Sequence, residues 1–275
     1  MLSAIEHHEP PGRRLVDDDL AASFLPVGLR LMVGLTRVGA LRRLALRATD
    51  RSGPGLWASI VCRKRFIDER LSDPINEFDT VVVLGAGLDT RAYRIARHSD
   101  LPVFEVDQQI NIDRKAAVVQ RVLGGSPDSV HLVPVDFERD ELLPALEAHG
   151  YRADGRTFFV WEGVTQYLSP EGVRATLQQL SAAAPGSRLI FTYIRQDFID
   201  GTQLYGAEAA YRRWRQRSQL WKSGLVPEEV GELLAEYGWR LVEQAGPSYF
   251  RDTYIRPTGR MLSASPIEWT VLAER

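Results

Sequence analysis

The stretch VVVLGAGLDTR, residues 81–91, runs from apolar residues through a glycine-rich turn to residues that can begin a helix. Short apolar runs bounded by turn residues are typical of strands buried in a parallel sheet. Gly85 and Gly87 allow backbone conformations that other residues avoid, and they let a ligand approach the backbone amides closely. The stretch therefore predicts the first strand of an α/β sheet, with a ligand-binding turn at its carboxyl end.

The glycine spacing leaves three interpretations open. A dinucleotide site uses glycine at the first, third and sixth positions, the last for close packing of helix on strand. The sixth position here is Thr90. A nucleoside such as S-adenosylmethionine (SAM) carries no pyrophosphate and needs only the open turn, so the motif favours SAM over NAD or FAD. A turn without a ligand is the third interpretation, because a short glycine motif is weak evidence alone.

The composition is that of an ordinary globular protein. The chain has 275 residues, of which 44% are hydrophobic and 25% charged, so it can bury a substantial core. A formal net charge of −2 argues against a general nucleic-acid binder. Cys62 is the only cysteine, which excludes an internal disulfide and a multi-thiolate metal site and favours a cytoplasmic location.

We expect no signal peptide, membrane span or metal cofactor. The first residues hold acids and histidines rather than a basic segment followed by an apolar run, and no apolar stretch is long enough to cross a bilayer. None of the five histidines lies at the carboxyl end of an expected strand. The sequence therefore predicts neither an imidazole base nor a metal cluster.

The region before the first strand divides in two. Residues 1–14 are polar and are expected to form a flexible arm. Residues 15–78 are rich in leucine, alanine and arginine and predict a helical cap with solvated arginine faces. A basic amphipathic membrane anchor is the alternative, which Pro26, Gly34 and Gly39 disfavour because they divide the region into short pieces.

Residues 79–275 predict the core, in which apolar runs alternate with helix-compatible segments as in a parallel sheet with crossover helices. The expected strands cover residues 80–84, 102–107, 130–135, 157–161, 187–194, 238–244 and 267–273. Residues 195–235 lack a strand pattern and predict a helical lid insertion. Within it, the basic and aromatic segment 211–217 indicates a solvated lid helix, with contact to an acidic substrate or nucleic acid as alternatives.

Carboxylates follow the second and third expected strands. Asp107 lies 20 residues after Gly87, where an acid can accept hydrogen bonds from both ribose hydroxyls of NAD or SAM. Asp136 can accept from an adenine amino group while the ring of Phe137 packs on the purine. The alternatives are an aspartate that caps a turn and one that begins a loop beside a core phenylalanine.

Glu162 follows the fourth expected strand. Ligands of open parallel sheets bind outside the carboxyl ends of the strands, so Glu162 is expected beside the cofactor. There it can orient the ammonium of the methionine part of SAM or face the substrate. Capping of the following turn is the alternative.

Four segments carry a resemblance to a known family: GAGLDTR (85–91), FEVD (104–107), PVDF (134–137) and WEGVTQYL (161–168). In this order, at the ends of four consecutive expected strands, they resemble the leucine carboxyl methyltransferase-like group of class I SAM-dependent methyltransferases, including its bacterial members. The resemblance runs from about residue 15 to the end and covers the cofactor site better than the acceptor site.

The resemblance implies a Rossmann-like α/β fold with helices on both faces of a seven-stranded, mostly parallel sheet that has one antiparallel edge strand. It also implies an N-terminal helical cap, a lid after the fifth strand, and SAM as the cofactor. The implied cofactor contacts are Arg63, Gly85, Ala86, Gly87, Asp107, Gln108, Asp136, Phe137 and Glu162.

Arg63 matches the family's arginine that grips the SAM carboxylate, which suits the fork of a guanidinium. The family usually shows Ala-Arg-Thr at this position, whereas this chain has Cys62 before the arginine and Lys64 after it. Arg65 could therefore share the role, and an ordinary exposed arginine is the remaining alternative.

The acceptor site is less clearly marked. Candidate substrate contacts are Tyr193, Arg195, Tyr254, Arg256 and Arg260, each with a packing or surface role as an equal alternative. Glu162 and Tyr193 are the candidate catalytic groups. The expected function is O-methylation of a carboxylate or hydroxyl on a small metabolite or peptide terminus, with no nucleic-acid or membrane partner. A non-catalytic SAM-fold binding protein and a nicotinamide-dependent oxidoreductase are the alternatives.

Overall fold

The computed structural model describes all 275 residues, Met1–Arg275, and contains a seven-stranded sheet. The strands are β1 (Thr80–Leu84), β2 (Val103–Asp107), β3 (Val130–Pro134), β4 (Thr157–Trp161), β5 (Arg188–Ile194), β6 (Arg240–Ala245) and β7 (Glu268–Glu274). All seven expected strands are present, each within two residues of its expected ends.

The strand order is β3-β2-β1-β4-β5-β7-β6. Strands β1 to β5 are parallel, and β7 runs antiparallel to both β5 and β6. The seven-stranded, mostly parallel sheet is therefore confirmed, but the antiparallel strand was wrongly expected at the edge, because β6 pairs along its outer side. The order reverses between β1 and β4, where a crevice for ligands opens in sheets of this kind.

Helices cover both faces of the sheet. They are α1 (Leu2–Glu6), α2 (Val27–Leu35), α3 (Gly39–Ser52), α4 (Leu56–Ser72), α5 (Arg91–Ile95), α6 (Gln109–Leu123), α7 (Leu142–Ala148), α8 (Pro170–Leu180), α9 (Gln196–Ile199), α10 (Glu208–Tyr211, continued by a π-helix over Arg212–Arg217), α11 (Val230–Glu236) and α12 (Pro247–Tyr249, continued by a π-helix over Phe250–Ile255). Single 3₁₀ turns occupy Pro11–Arg13, Ile75–Glu77, Thr165–Tyr167 and Arg256–Thr258.

Two hydrophobic cores lie on opposite faces of the sheet. Side chains alternate along β1, so that Val81 and Val83 lie in the first core and Val82 and Leu84 in the second. Residues of α4, α5 and α6 close the first core, and residues of α7, α8 and α11 close the second. The sheet is therefore covered on both sides, which leaves its carboxyl edge for a ligand.

The first residues are not the expected flexible arm. Helix α1 buries Ser3, Ala4, Ile5 and Glu6. The Glu6 carboxylate is fully buried and accepts hydrogen bonds from the Trp57 indole at 3.0 Å and the Leu15 amide at 2.9 Å. Such a buried charge needs partners close by, and these partners hold α1 against the rest of the molecule.

The expected cap and lid also need new boundaries. Helix α4 packs on the sheet through Val61 and Phe66. Of the helices within residues 15–78, only α2 and α3 therefore lie outside the layer of helices that covers the sheet. Helix α11 buries Val230 and Leu234 in the second core, so the insertion ends before it rather than at residue 235. The absence of a strand pattern could not separate a lid helix from a helix that packs on the sheet. None of the helices has the length and apolar character of a membrane span.

Candidate cofactor and acceptor site

The glycine turn after β1 is tied to the end of β2. Gly85 has φ +69°, and a Cβ there would lie 2.2 Å from Cγ2 of Val164, so glycine is required both for backbone conformation and for space. Gly87 has φ +44° with open space around it. The amides of Gly85 and Ala86 donate to the Val106 carbonyl at 2.7 and 3.0 Å. The expected cofactor turn is thus held against the strand that ends in the expected ribose ligand.

Asp107 is buried and its carboxylate is firmly positioned. Oδ2 accepts from the Gly87 amide at 2.7 Å, and Oδ1 accepts from the Gln108 amide and Asn111 Nδ2, both at 2.8 Å. A carboxylate has about four acceptor positions, so these bonds leave capacity on Oδ2 for a ribose hydroxyl. The side chain of Gln108 itself is exposed beside this carboxylate at the start of α6.

Asp136 and Phe137 lie in the turn after β3. Oδ1 of Asp136 accepts from the Glu138 amide at 3.0 Å, which leaves Oδ2 for an adenine amino group. Phe137 is half-buried against the second core. Both side chains are therefore accessible enough to contact a purine. Together, the donors and acceptors at the ends of β1, β2 and β3 fit an adenosine.

An ion network surrounds Glu162 at the end of β4. Its carboxylate accepts from Arg63 Nε at 2.8 Å and from Arg91 Nη1 at 2.7 Å, and Lys64 Nζ lies 3.7 Å away. Burial alone would raise the pKa of Glu162, but the charges of Lys64, Arg91 and Arg63 lower that pKa to about 2. A carboxylate with so low a pKa is too weak a base to take a proton from a hydroxyl, so the arrangement suits Glu162 to holding Arg63 and Arg91 rather than to the candidate catalytic role.

Arg63 lies between this network and a large cavity. Nε donates to Glu162, Nη1 pairs with Glu268, and Nη2 lies 3.2 Å from where a Cβ on Gly163 would be. The hydrogen bonds of this guanidinium within the protein use Nε and Nη1, and Arg63 lines the cavity, so Nη2 is left for a ligand carboxylate. Arg65 instead donates to Glu69 at 2.7 Å and lies over the ring of Tyr254, so it cannot share this role.

Sequence reasoning missed three charged residues that hold the site. Arg91 is 1% exposed and its Nε donates to Asp68 at 2.5 Å. Lys115 is buried beneath the turn and donates to the Asp89 carbonyl at 2.6 Å. Glu268 pairs with Arg63. Arg91 ends the glycine stretch and could have been noticed as a charge in a buried turn, whereas nothing local marks Lys115 or Glu268.

The cavity has a volume of about 870 Å³ and is lined mainly by hydrophobic side chains. Helices α1, α2, α3 and α10, the first turns of α4, and the segments 163–167 and 265–268 contribute to its wall. Arg63, Gly163 and Glu268 lie on that wall, so the cavity adjoins the cofactor network. The cavity is therefore a candidate acceptor site.

None of the five expected substrate residues lines this cavity. Tyr193 lies in the second core, where its hydroxyl accepts from Gln244 and burial raises its pKa, so it is neither a base nor a substrate contact. Alternation along β5 places Ile194 on the cavity instead. Tyr254 donates to Glu69 at 2.6 Å within the first core.

The three expected substrate arginines all have protein partners elsewhere. Arg195 pairs with Asp197 at 2.7 Å, and the exposed Arg256 pairs with Asp252 at 3.1 Å. Arg260 is buried against the Glu6 carboxylate. Their expected substrate roles are therefore wrong, because each guanidinium pairs with a carboxylate and neither partner lines the cavity.

Comparison with known proteins agrees with this geometry. The model of the leucine carboxyl methyltransferase family matches residues 1–181. The chain belongs to this family. A "Putative S-adenosyl-L-methionine-dependent methyltransferase" of Mycolicibacterium smegmatis is 33% identical over 258 residues, which are 90% of this chain and 81% of that protein. A protein of the same name from Mycobacterium sp. (strain KMS) is 36% identical over 202 residues, which are 70% of this chain and 63% of that protein.

Solved structures share the fold of this family member. A "putative methyltransferase" from Thermobifida fusca has a TM-score of 0.59 at 20% identity and covers 97% of this chain and 98% of its own. A duf574 family protein from Streptomyces avermitilis has a TM-score of 0.55 at 15% identity, and the match covers 86% of this chain and 90% of that protein. The chain spans less than two thirds of the length of several curated relatives, for example 63% of the protein from Mycobacterium sp. (strain KMS). The protein is a SAM-dependent methyltransferase with a Rossmann-like fold.

Proposed function

We propose that this methyltransferase transfers the methyl group of SAM to a carboxylate on a small molecule or a peptide terminus. SAM supplies an electrophilic methyl group on a sulfonium. A carboxylate oxygen forms the new bond to that carbon while the carbon–sulfur bond breaks and its electron pair stays on sulfur. The product is a methyl ester, and no proton has to move.

One observation supports this acceptor chemistry: the charged side chains on the cavity wall are Arg51, Arg63, Arg213 and Glu268, and the glutamate is already paired with Arg63. The wall therefore carries a net positive charge, which suits an anionic acceptor. A carboxyl group with a pKa near 4 is ionised at pH 7, whereas a phenol with a pKa near 10 would need a base.

The protein's own contribution is binding and alignment. Asp107 and Asp136 hold the adenosine, Arg63 holds the carboxylate of the cofactor, and the Glu162 network fixes Arg63 between cofactor and cavity. Alignment of the two reactants and exclusion of water lower the barrier to transfer without a change in the chemistry.

The pH dependence of the transfer step tests this proposal. With an accepted substrate, the single-turnover rate should stay flat from about pH 6 to pH 9, because the carboxylate is ionised throughout. A tenfold rise in rate per pH unit over this range would show that a proton leaves a hydroxyl, and the carboxylate acceptor would then be wrong.

A further inference from the structure

Apolar side chains that are exposed to solvent are concentrated in helices α2 and α3. Leu31 and Leu35 lie one turn apart on α2 and are 69% and 62% exposed. Although residues 27–44 are a small part of the chain, they hold eight of its sixteen large exposed apolar side chains: Val27, Leu29, Leu31, Met32, Leu35, Val38, Leu41 and Leu44. Single exposed apolar side chains are ordinary, whereas such a concentration marks an interaction surface.

Each helix presents these side chains on an outer face. On α2, Leu31 and Leu35 point to solvent while Val33 is buried in the first core. On α3, Leu41 and Leu44 are three residues apart, a spacing that places both on one side of a helix. Both helices also line the cavity and therefore lie on the same side of the molecule. Nothing in the chain covers these outer faces.

The three residues that disfavour a membrane anchor in the sequence only delimit these helices. Pro26 precedes α2, Gly34 is its penultimate residue, and Gly39 begins α3. Two short amphipathic helices can lie in the plane of a membrane interface, and neither has to span the bilayer.

The charges around this apolar surface are all positive. Residues 26–49 contain five arginines and no acidic residue. Arg42 pairs with Glu9 at 2.6 Å. The other four arginines are exposed and make no ion pair: Arg30, Arg37, Arg43 and Arg47. A guanidinium matches the oxygens of a phosphate, so these four side chains suit an anionic partner.

We propose that the outer faces of α2 and α3 dock on a lipid bilayer that contains anionic phospholipids. The leucines enter the boundary between headgroups and acyl chains, and the arginines bind the phosphates. A second copy of the chain would bring like charges together, and a nucleic acid would leave the leucines uncovered. Met32 belongs both to this surface and to the cavity wall, so the docked bilayer adjoins the candidate acceptor site.

Sedimentation with lipid vesicles tests this proposal on the full-length protein. The vesicles contain phosphatidylcholine alone or an equal mixture with phosphatidylglycerol. The protein should bind the mixed vesicles about tenfold or more tightly than phosphatidylcholine alone, and salt should weaken the binding by screening the arginines. Leu31→Ser with Leu35→Ser, and Arg43→Gln with Arg47→Gln, should each lower the affinity for mixed vesicles about tenfold or more.

Helix α6 supplies the matched control. It carries an exposed leucine, Leu123, and an exposed arginine without an ion pair, Arg114. Leu123→Ser with Arg114→Gln should bind the mixed vesicles as the wild type does. All the replaced side chains are exposed, so the variants should fold, which circular dichroism checks. No methyl group is transferred in these measurements, so their outcome is independent of the proposed acceptor.

A fluorescent label at residue 35 reports insertion directly. Cys62 is the only cysteine and is buried, so Leu35→Cys offers one accessible thiol to an environment-sensitive fluorophore. Its emission should shift to the blue on mixed vesicles, and that of a label on Leu123→Cys should not. No binding to mixed vesicles, binding that survives both double variants, or a label at residue 35 that stays in water would each overturn the proposal. A blue shift without vesicles that grows with protein concentration would also overturn it, because a second copy would then cover the surface.

Discussion

At the scale of single residues, the cofactor side of the site follows the sequence closely and the acceptor side does not. Asp107, Asp136 and Glu162 could be predicted because the carboxyl ends of parallel strands meet at one edge of the sheet. The expectation that Tyr193 contacts the substrate fails because β5 is buried on both faces. Such a strand shows no alternation of polar and apolar residues, so its sequence does not tell which side chains face the cavity.

Arg63→Ala should weaken SAM binding by about 1.5–3 kcal/mol, the range for hydrogen bonds to charged groups, and should leave adenosine binding unchanged. Asp107→Ala should weaken both ligands, since both carry the ribose. Calorimetry on folded variants measures these affinities, with Arg65→Ala as the control that leaves SAM affinity intact. Unchanged SAM affinity in Arg63→Ala would show that Arg63 does not bind the SAM carboxylate.

The depressed pKa of Glu162 predicts a pH dependence of stability. Its pKa lies at about 2 in the folded protein against an ordinary value of 4.5, so the ionised form stabilises the fold above pH 4.5. That contribution is lost as the pH falls from 4.5 toward 2. Urea unfolding should show the stability gap between wild type and Glu162→Gln narrowing over this range; a gap independent of pH would contradict the ionised network.

At the scale of elements, local pattern located the strands but not their pairing. Runs such as Thr80–Leu84 are recognisable because they are wholly buried between turn residues. The position of β7 inside the sheet depends on hydrogen bonds to β6, and no local signal encodes this partner. For the same reason α11 was included in the lid, since its contacts with the second core come from distant residues.

The turn between β1 and α5 should tolerate Gly87→Ala better than Gly85→Ala. Both substitutions impose a left-handed conformation on alanine, which costs about 1–2 kcal/mol, and the clash of Gly85→Ala with Val164 adds about 1–3 kcal/mol. Urea unfolding measures the difference. Val164→Ala should recover part of the loss in Gly85→Ala and none in Gly87→Ala; equal losses at both glycines would refute this description of the turn.

At the scale of the whole molecule, the cavity is closed by elements that lie outside the sheet. Helix α1 contributes Leu2 and Ile5 to its wall, and Ser265 and Ile267 come from the other end of the chain. The buried pair of Glu6 with Arg260 joins these two regions. Because the wall is assembled from distant segments, no motif in the sequence could have located it.

Glu6→Gln should lower the free energy of unfolding by about 3–5 kcal/mol, because it leaves the buried Arg260 without its counter-charge. Arg256→Ala breaks an exposed pair and should leave stability unchanged within error, and it should not alter substrate affinity either. Chemical denaturation compares the two. A loss of unfolding free energy in Arg256→Ala as large as in Glu6→Gln would show that burial does not determine how much these ion pairs contribute to stability.

The chemical nature of the methylated product tests the central claim most directly. The enzyme is given SAM labelled in the methyl group, together with small apolar carboxylic acids and the corresponding alcohols, and the products are treated with mild alkali. A methyl ester releases its label as volatile methanol, whereas a methyl ether keeps it. We predict volatile label from the acids and none from the alcohols; label that withstands alkali would contradict methyl transfer to a carboxylate.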